Sequence, residues 1–157
     1  MRLDKFNGPQ RATLALFHPN AKGTGCAVKM SVVPATCFTE GGLAVSLVKQ
    51  EDGFIWNNSL DVFLQFDDVS KVLQVLRGET ESIDEGKGLY EKSGELSLLL
   101  TFRHCLEPVS GYRLDVCQSL EGKKSNATMF FSPSEAIGLS IALENSMSAI
   151  AFGLWRW

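Results

Sequence analysis

Seven cations fall on strand-like runs or at their rims: Lys22, Lys29, Lys49, Arg103, Arg113, and the neighbours Lys123 and Lys124. Cations spaced along strands can form a strip that holds anions, phosphate above all, or they can simply keep a sheet face solvated. Trp56 and Tyr112 accompany them. An aromatic ring there either stacks on a planar ligand or packs into the core, and the core role is the commoner one.

Catalytic chemistry has less to work with. The histidines are His18, before Pro19 in a loop, and His104, at a strand end beside Cys105. Adjacent strand residues point to opposite faces, so His104 and Cys105 do not form a dyad. The carboxylate pairs Asp67-Asp68 and Asp84-Glu85 fall at a helix start and in a polar connector. Phosphate-loop, dinucleotide and metal-ligand spacings are all missing. The expectation is a non-catalytic protein with no cofactor and no metal. Cys26, Cys37, Cys105 and Cys117 form no CxxC pair, so free thiols in a reducing compartment are expected. Cys105 and Cys117 lie on consecutive predicted strands, where they read as small hydrophobes.

A chain of 157 residues with 45% hydrophobic content fits one domain with an adequate core. A net charge of −3 argues against attachment to nucleic acid by bulk positive charge, though not against a local basic strip. Met1 to Phe6 carries Asp4 and lacks an apolar region, so no secretory leader is expected. No apolar run is long enough to span a membrane.

The elements that would position these residues form a repeated pattern. Strands are predicted over 11–17, 26–33, 43–49 and 62–66, with Leu43, Val45 and Leu47 on one face of the third. Asp67 then caps a helix through Leu76 that Gly78 ends. Residues 79–92 read as a long linker. Strands follow over 96–104, 112–120 and 127–131. Ser132, Pro133 and Glu135 form a capping box that opens a helix to about Ala151, with Gly153 behind it. The passages Val62–Phe66 into Asp67 and Ala127–Phe131 into Ser132 share one grammar: a short apolar strand ending in Phe, then a cap. The predicted division is a first unit over about 11–78, the linker, a second unit over about 93–153, and an aromatic tail, Leu154-Trp155-Arg156-Trp157, that packs on the body or on a partner.

In that order and spacing, the chain resembles the Whirly superfamily of single-stranded nucleic-acid-binding proteins. Lys22-Gly23-Thr24-Gly25-Cys26-Ala27-Val28, through to Pro34, is similar to the plant Lys-Gly-Lys-Ala-Ala-Leu-Ser strand and its closing Pro. Thr24 stands where that pattern has a second lysine. Gly41-Gly42-Leu43 resembles the next strand opening, and Ile55-Trp56-Asn57 the Tyr-Asp-Trp turn. Phe63–Val69 and Ser132–Glu135 resemble the two strand-to-helix passages. Ser110-Gly111-Tyr112, Leu143-Glu144-Asn145 and Phe152-Gly153 resemble the kinetoplastid mitochondrial RNA-binding branch, which anneals guide RNA to messenger RNA.

The resemblance implies an α+β fold of two four-stranded antiparallel sheets, packed nearly at right angles and each followed by a helix (ββββα twice). It implies a tetramer, of one chain or with a related subunit, gathered around its helices. It also implies single-stranded RNA or DNA as ligand, a mitochondrial setting and a part in RNA annealing or editing. On this expectation the seven cations contact phosphates and Trp56 and Tyr112 stack on bases, with low sequence specificity. The alternative is a scaffold subunit in which a more basic relative makes most of the nucleic-acid contacts.

Overall fold

The computed structural model describes residues 13–154. Arg11 and Ala12 of the first predicted strand, and Trp155 to Trp157 of the aromatic tail, lie outside the described residues. The alternating run TLALFH becomes β1 (Thr13–His18), followed by β2 (Cys26–Val33), β3 (Gly42–Glu51), the short β4 (Gly53–Phe54) and β5 (Leu60–Leu64). They pair antiparallel in the order β1-β2-β3-β5, with β4 folded back on the end of β3. β6 (Leu89–Ser93), β7 (Leu96–Cys105), β8 (Gly111–Leu120) and β9 (Lys123–Phe131) form a second antiparallel sheet in sequence order. Helix α1 (Phe66–Leu76) follows the first sheet and α2 (Pro133–Phe152) the second.

Period-two burial sorts each sheet into two faces. Val28 and Met30 of β2, Val45 and Leu47 of β3 and Val62 of β5 are buried on one face. Leu98, Leu100 and Phe102 of β7, Leu114 and Val116 of β8 and Met129 and Phe131 of β9 do the same in the second sheet. These inner faces, with Val69, Val72 and Leu73 of α1 and Leu139, Leu143 and Ile150 of α2, make one continuous core. The outer parity is open or partly covered along much of both sheets, but on the first sheet Ala27, Val48 and Phe63 of that parity are buried.

The strand-to-helix passages repeat in detail, but two residues away from the expected alignment. Phe66 is the first residue of α1 rather than the last of a strand, and the cap is Gln65, not Asp67. Gln65 accepts from the Asp68 backbone while Asp68 Oδ2 takes the Gln65 N–H at 2.9 Å. Ser132 and Glu135 do the same for α2, with Pro133 opening the helix and Gly153 ending it in the left-handed region. Thus Phe63-Leu64-Gln65 matches Phe130-Phe131-Ser132. A glycine completes each copy: a Cβ at Gly42 would meet the Leu64 carbonyl and the Phe63 ring, and one at Gly111 the Phe131 carbonyl and the Phe130 ring. Sequence reading favoured Asp67 because a carboxylate is the commoner cap.

The expected linker 79–92 is structured. Ile83 is buried, a short 3-10 turn runs Ile83–Gly86, Ser82 bridges to Arg103, and the last four residues begin β6. Its charges hid it: Lys71 pairs with Asp84 at 3.0 Å, and polar residues that anchor a connector look like solvated ones in a sequence. β9 begins at Lys123 rather than Ala127, so the expected turn over 122–126 is mostly strand. Cys105 lies opposite Gly111 and Cys117 opposite Leu99, at distant points of the same ladder, and all four cysteines are free thiols.

Candidate nucleic-acid interface

The outer face of the first sheet carries an aromatic corner. Phe17 of β1 and Lys29 of β2 point outward, and the β4 hairpin with the 3-10 turn Trp56–Asn58 folds over them. Phe17 meets Phe54 edge-on at 5.6 Å and Trp56 at 6.1 Å between ring centres. The Lys29 ammonium stands 3.8 Å from the centre of the Trp56 ring. Such a contact is worth about 0.5–1 kcal/mol at an exposed site, which is enough to orient the ring without locking it. Phe17 remains 50% exposed, so the corner offers ring area and a cation together.

Lys22 lies at the exposed tip of the loop before β2. Gln50 Oε1 accepts from the Asn20 N–H at 2.9 Å and the Gly25 N–H at 3.2 Å, and Asn20 Oδ1 accepts from the Thr24 N–H at 2.9 Å. The loop is therefore braced from β3. Lys49 keeps the inward parity of Leu47 but stands at the sheet's end, where its ammonium donates to Asn126 Oδ1 at 2.8 Å. That contact crosses the cleft between the sheets, lined also by Glu51, Ile55, Lys124 and Ser125.

Arg103 and Arg113 face each other across β7 and β8 on the outer side of the second sheet. Like charges directly opposite are unfavourable. Asp115 relieves one of them: Arg113 Nε donates to it at 2.8 Å, and the Thr128 hydroxyl donates to it as well. The Asp115 hydrogen bond and charge push the Arg113 guanidinium pKa up. Arg103 is exposed, and its side chain has no ion-pair partner among the described residues. Lys123 and Lys124 open β9, with Lys124 on the outer side and Lys123 on the inward parity.

Tyr112 is not on this surface. Its ring stacks on Phe102 at 5.9 Å, tilts against His104 at 4.9 Å, and points its hydroxyl toward the Leu76 carbonyl. The Tyr112–Phe131 register places it on the inner parity, which a Gly-aromatic strand opening does not reveal. The structure therefore groups Lys29 with Trp56, and Arg103 with Arg113. Lys49 and Lys124 both line the cleft, and Tyr112 stands apart. Sequence reasoning missed Phe17, whose outward parity depends on strand register, and Tyr90, which lay in the expected linker.

Charge is sorted by face. The outward strand positions hold Lys29, Lys92, Arg103, Arg113 and Lys124 against Asp61 and Asp115, that is, five cations to two carboxylates. The connector and helix surfaces carry Glu79, Glu81, Asp84, Glu85, Asp67 and Glu144 against Lys71, Arg77 and Lys87. The net acidity of the chain thus coexists with cation-rich sheet faces. Among the described residues no group of three or more His, Cys, Asp or Glu side chains is placed to hold a metal ion, and no helix is long and apolar enough to cross a membrane.

This architecture is found in known structures. WHY1 from Arabidopsis thaliana superposes with a TM-score of 0.65 at 14% identity, over 92% of this chain and 94% of that one. MRP1/MRP2 of Trypanosoma brucei gives 0.58 at 16% identity, over 87% and 83%. A guide-RNA-binding protein complex bound to a guide RNA gives 0.59 at 16% identity, over 90% and 94%. The fold is Whirly-like. No protein-family model matches the chain, and no curated protein matches it in sequence.

Proposed function

We propose that this protein binds single-stranded nucleic acid, RNA foremost, on the outer faces of its two sheets, and that it performs no catalysis. The observation that carries the reading is the charge sorting: five cations to two carboxylates on outward strand positions in a chain of net charge −3. Rings beside those cations supply base stacking, which accepts any base, while phosphate contacts carry no sequence, so specificity is low. Lys29, Arg103, Arg113 and Lys124 on the outer faces, with Lys49 and Lys123 at strand ends and Lys22 in the loop before β2, are the phosphate contacts in this reading, and Trp56 is the stacking ring. Bases spread on a sheet stay unpaired, which favours annealing to a second strand. The shared fold with a complex bound to a guide RNA supports RNA as the ligand, and the mitochondrial setting and editing role belong to the same reading.

The chain acts as one domain of two units, about 11–78 and 93–153, each with a helix, and β6 at the end of the 79–92 connector completes the sheet of the second. Assembly runs through α2, whose outer stripe exposes Ile137 (63%), Ile141 (55%) and Phe152 (76%) at helical spacing. Four protomers meeting there leave the sheets free. The same stripe favours the second reading, a subunit that joins a more basic relative.

Photocrosslinking of a thiouridine-bearing single strand, followed by peptide mapping, tests the proposal. Adducts on β1, β2, the Trp56 turn and β7–β9 are expected. Adducts confined to α1, α2 or the 79–88 connector would refute it.

A further inference from the structure

The ladder of the second sheet places two contrasting rows side by side on its outer face. Lys92, Ser97, Ser119 and Lys124 lie in register across all four strands. One step along, Tyr90, Leu99, Cys117 and Asn126 form the next outward row. Outward rows are about 6.6–6.8 Å apart along a strand, and three strand spacings put the two lysine Cα atoms about 14–15 Å apart.

The first row is two ammonium groups flanking two hydroxyls. The second is an exposed ring, an apolar floor and an amide. Tyr90 is 62% exposed on the edge strand and forms one wall of a cleft over Leu99 and Cys117. Asn126 forms the far wall. Its Oδ1 is taken by Lys49 at 2.8 Å, so what Asn126 has left to offer is its amide NH2, a donor of two hydrogens.

We propose that these rows are a built seat for one unpaired nucleotide. Its base lies against Tyr90 on the Leu99–Cys117 floor, and its phosphate rests on the lysine and serine row. The lysines carry the charge that a phosphate needs, and an apolar floor beside a ring suits a planar base better than a sugar or a peptide. Asn126 reads the base edge, favouring bases that present an acceptor there. The inference rests on the single-strand reading above and names a second seat within it, separate from the Phe17–Trp56 corner.

The test uses the full chain, a short oligouridylate, and alkylation of Cys117 by N-ethylmaleimide. Cys37, exposed in the loop between β2 and β3, is the internal control. The oligonucleotide should slow Cys117 alkylation several-fold and leave Cys37 unchanged. Tyr90→Ala should abolish that protection and weaken affinity about tenfold while leaving the circular dichroism spectrum intact, and Lys92→Gln should do so more mildly. Binding by anisotropy with no protection of Cys117 would overturn the seat and leave the single-strand reading standing. Absence of any binding would overturn both.

Discussion

The Lys29 ammonium rests 3.8 Å above the Trp56 ring, joining the only tryptophan of the described residues to a cation on the outer face of the first sheet. The pair unites both chemistries the account needs. Trp56→Ala should weaken single-strand binding about tenfold, the loss of one stacked base at about 1–3 kcal/mol, and Trp56→Phe should recover most of it. Lys29→Gln should reduce the slope of log affinity against log salt by about 0.7, one phosphate contact on a single strand. Anisotropy titrations across a salt series measure both effects, and thermal melts separate them from loss of folding.

Arg103 and Arg113 should part company. The Arg103 side chain has no ion-pair partner among the described residues, so Arg103→Gln should weaken binding and leave the stability within about 0.5 kcal/mol of the parent. Arg113→Gln leaves the half-buried Asp115 with the Thr128 hydroxyl alone, so it should lower stability as well as affinity. Chemical denaturation of the two variants beside their binding curves checks the split.

Glu135 is held by two partners: the Ser132 N–H at 2.8 Å and His18 Nε2 at 2.7 Å. Burial opposes its charge, but the hydrogen bonds from Ser132 and His18 outweigh burial and hold its carboxyl below the ordinary range. A carboxylate with a depressed folded-state pKa stabilises the fold fully above its unfolded value of about 4.3 and loses that contribution as pH falls through the lower folded value. Glu135→Gln should therefore cost stability at neutral pH and flatten the acid side of the profile. Urea midpoints measured from about pH 7 down to about pH 3 report it, and parallel profiles for the two proteins would contradict the assignment.

Gly42 and Gly111 should tolerate no side chain. In each, a Cβ meets the carbonyl and the ring that end the partner strand. Alanine at either should cost about 1–3 kcal/mol as overpacking forces the ladder apart. Equal losses at the two sites, read from denaturation midpoints, would confirm that the two units share this corner.

Ile141→Glu should lower the assembled mass seen by light scattering without unfolding the chain, because Ile141 is 55% exposed on α2. An unchanged mass would move the assembly surface elsewhere.

Much of the fold was legible because period two and period 3.6 are written plainly where one face is buried. Leu43–Leu47 and Leu96–Phe102 show it, as does the Ser132–Glu135 capping box. Gln65 was not legible as a cap, because its amide does what a carboxylate or hydroxyl more often does. β6 was hidden because an edge strand with one buried residue, Leu89, has little hydrophobic period to display. The site was legible as a list of cations and not as a surface. Which face Tyr112 or Phe17 takes depends on ladder register, and register is fixed by pairings far apart in the chain. Tyr90 follows the same rule: it joins Leu99 and Cys117 only once β6 has docked on β7.

The most direct test of the central claim is fluorescence anisotropy of the purified chain against labelled single-stranded and duplex RNA and DNA of equal length, at two salt concentrations. The account predicts binding to single strands, at least about tenfold tighter than to duplex, that weakens as salt rises. Equal affinity for duplex, or no affinity for any of the four, would contradict it.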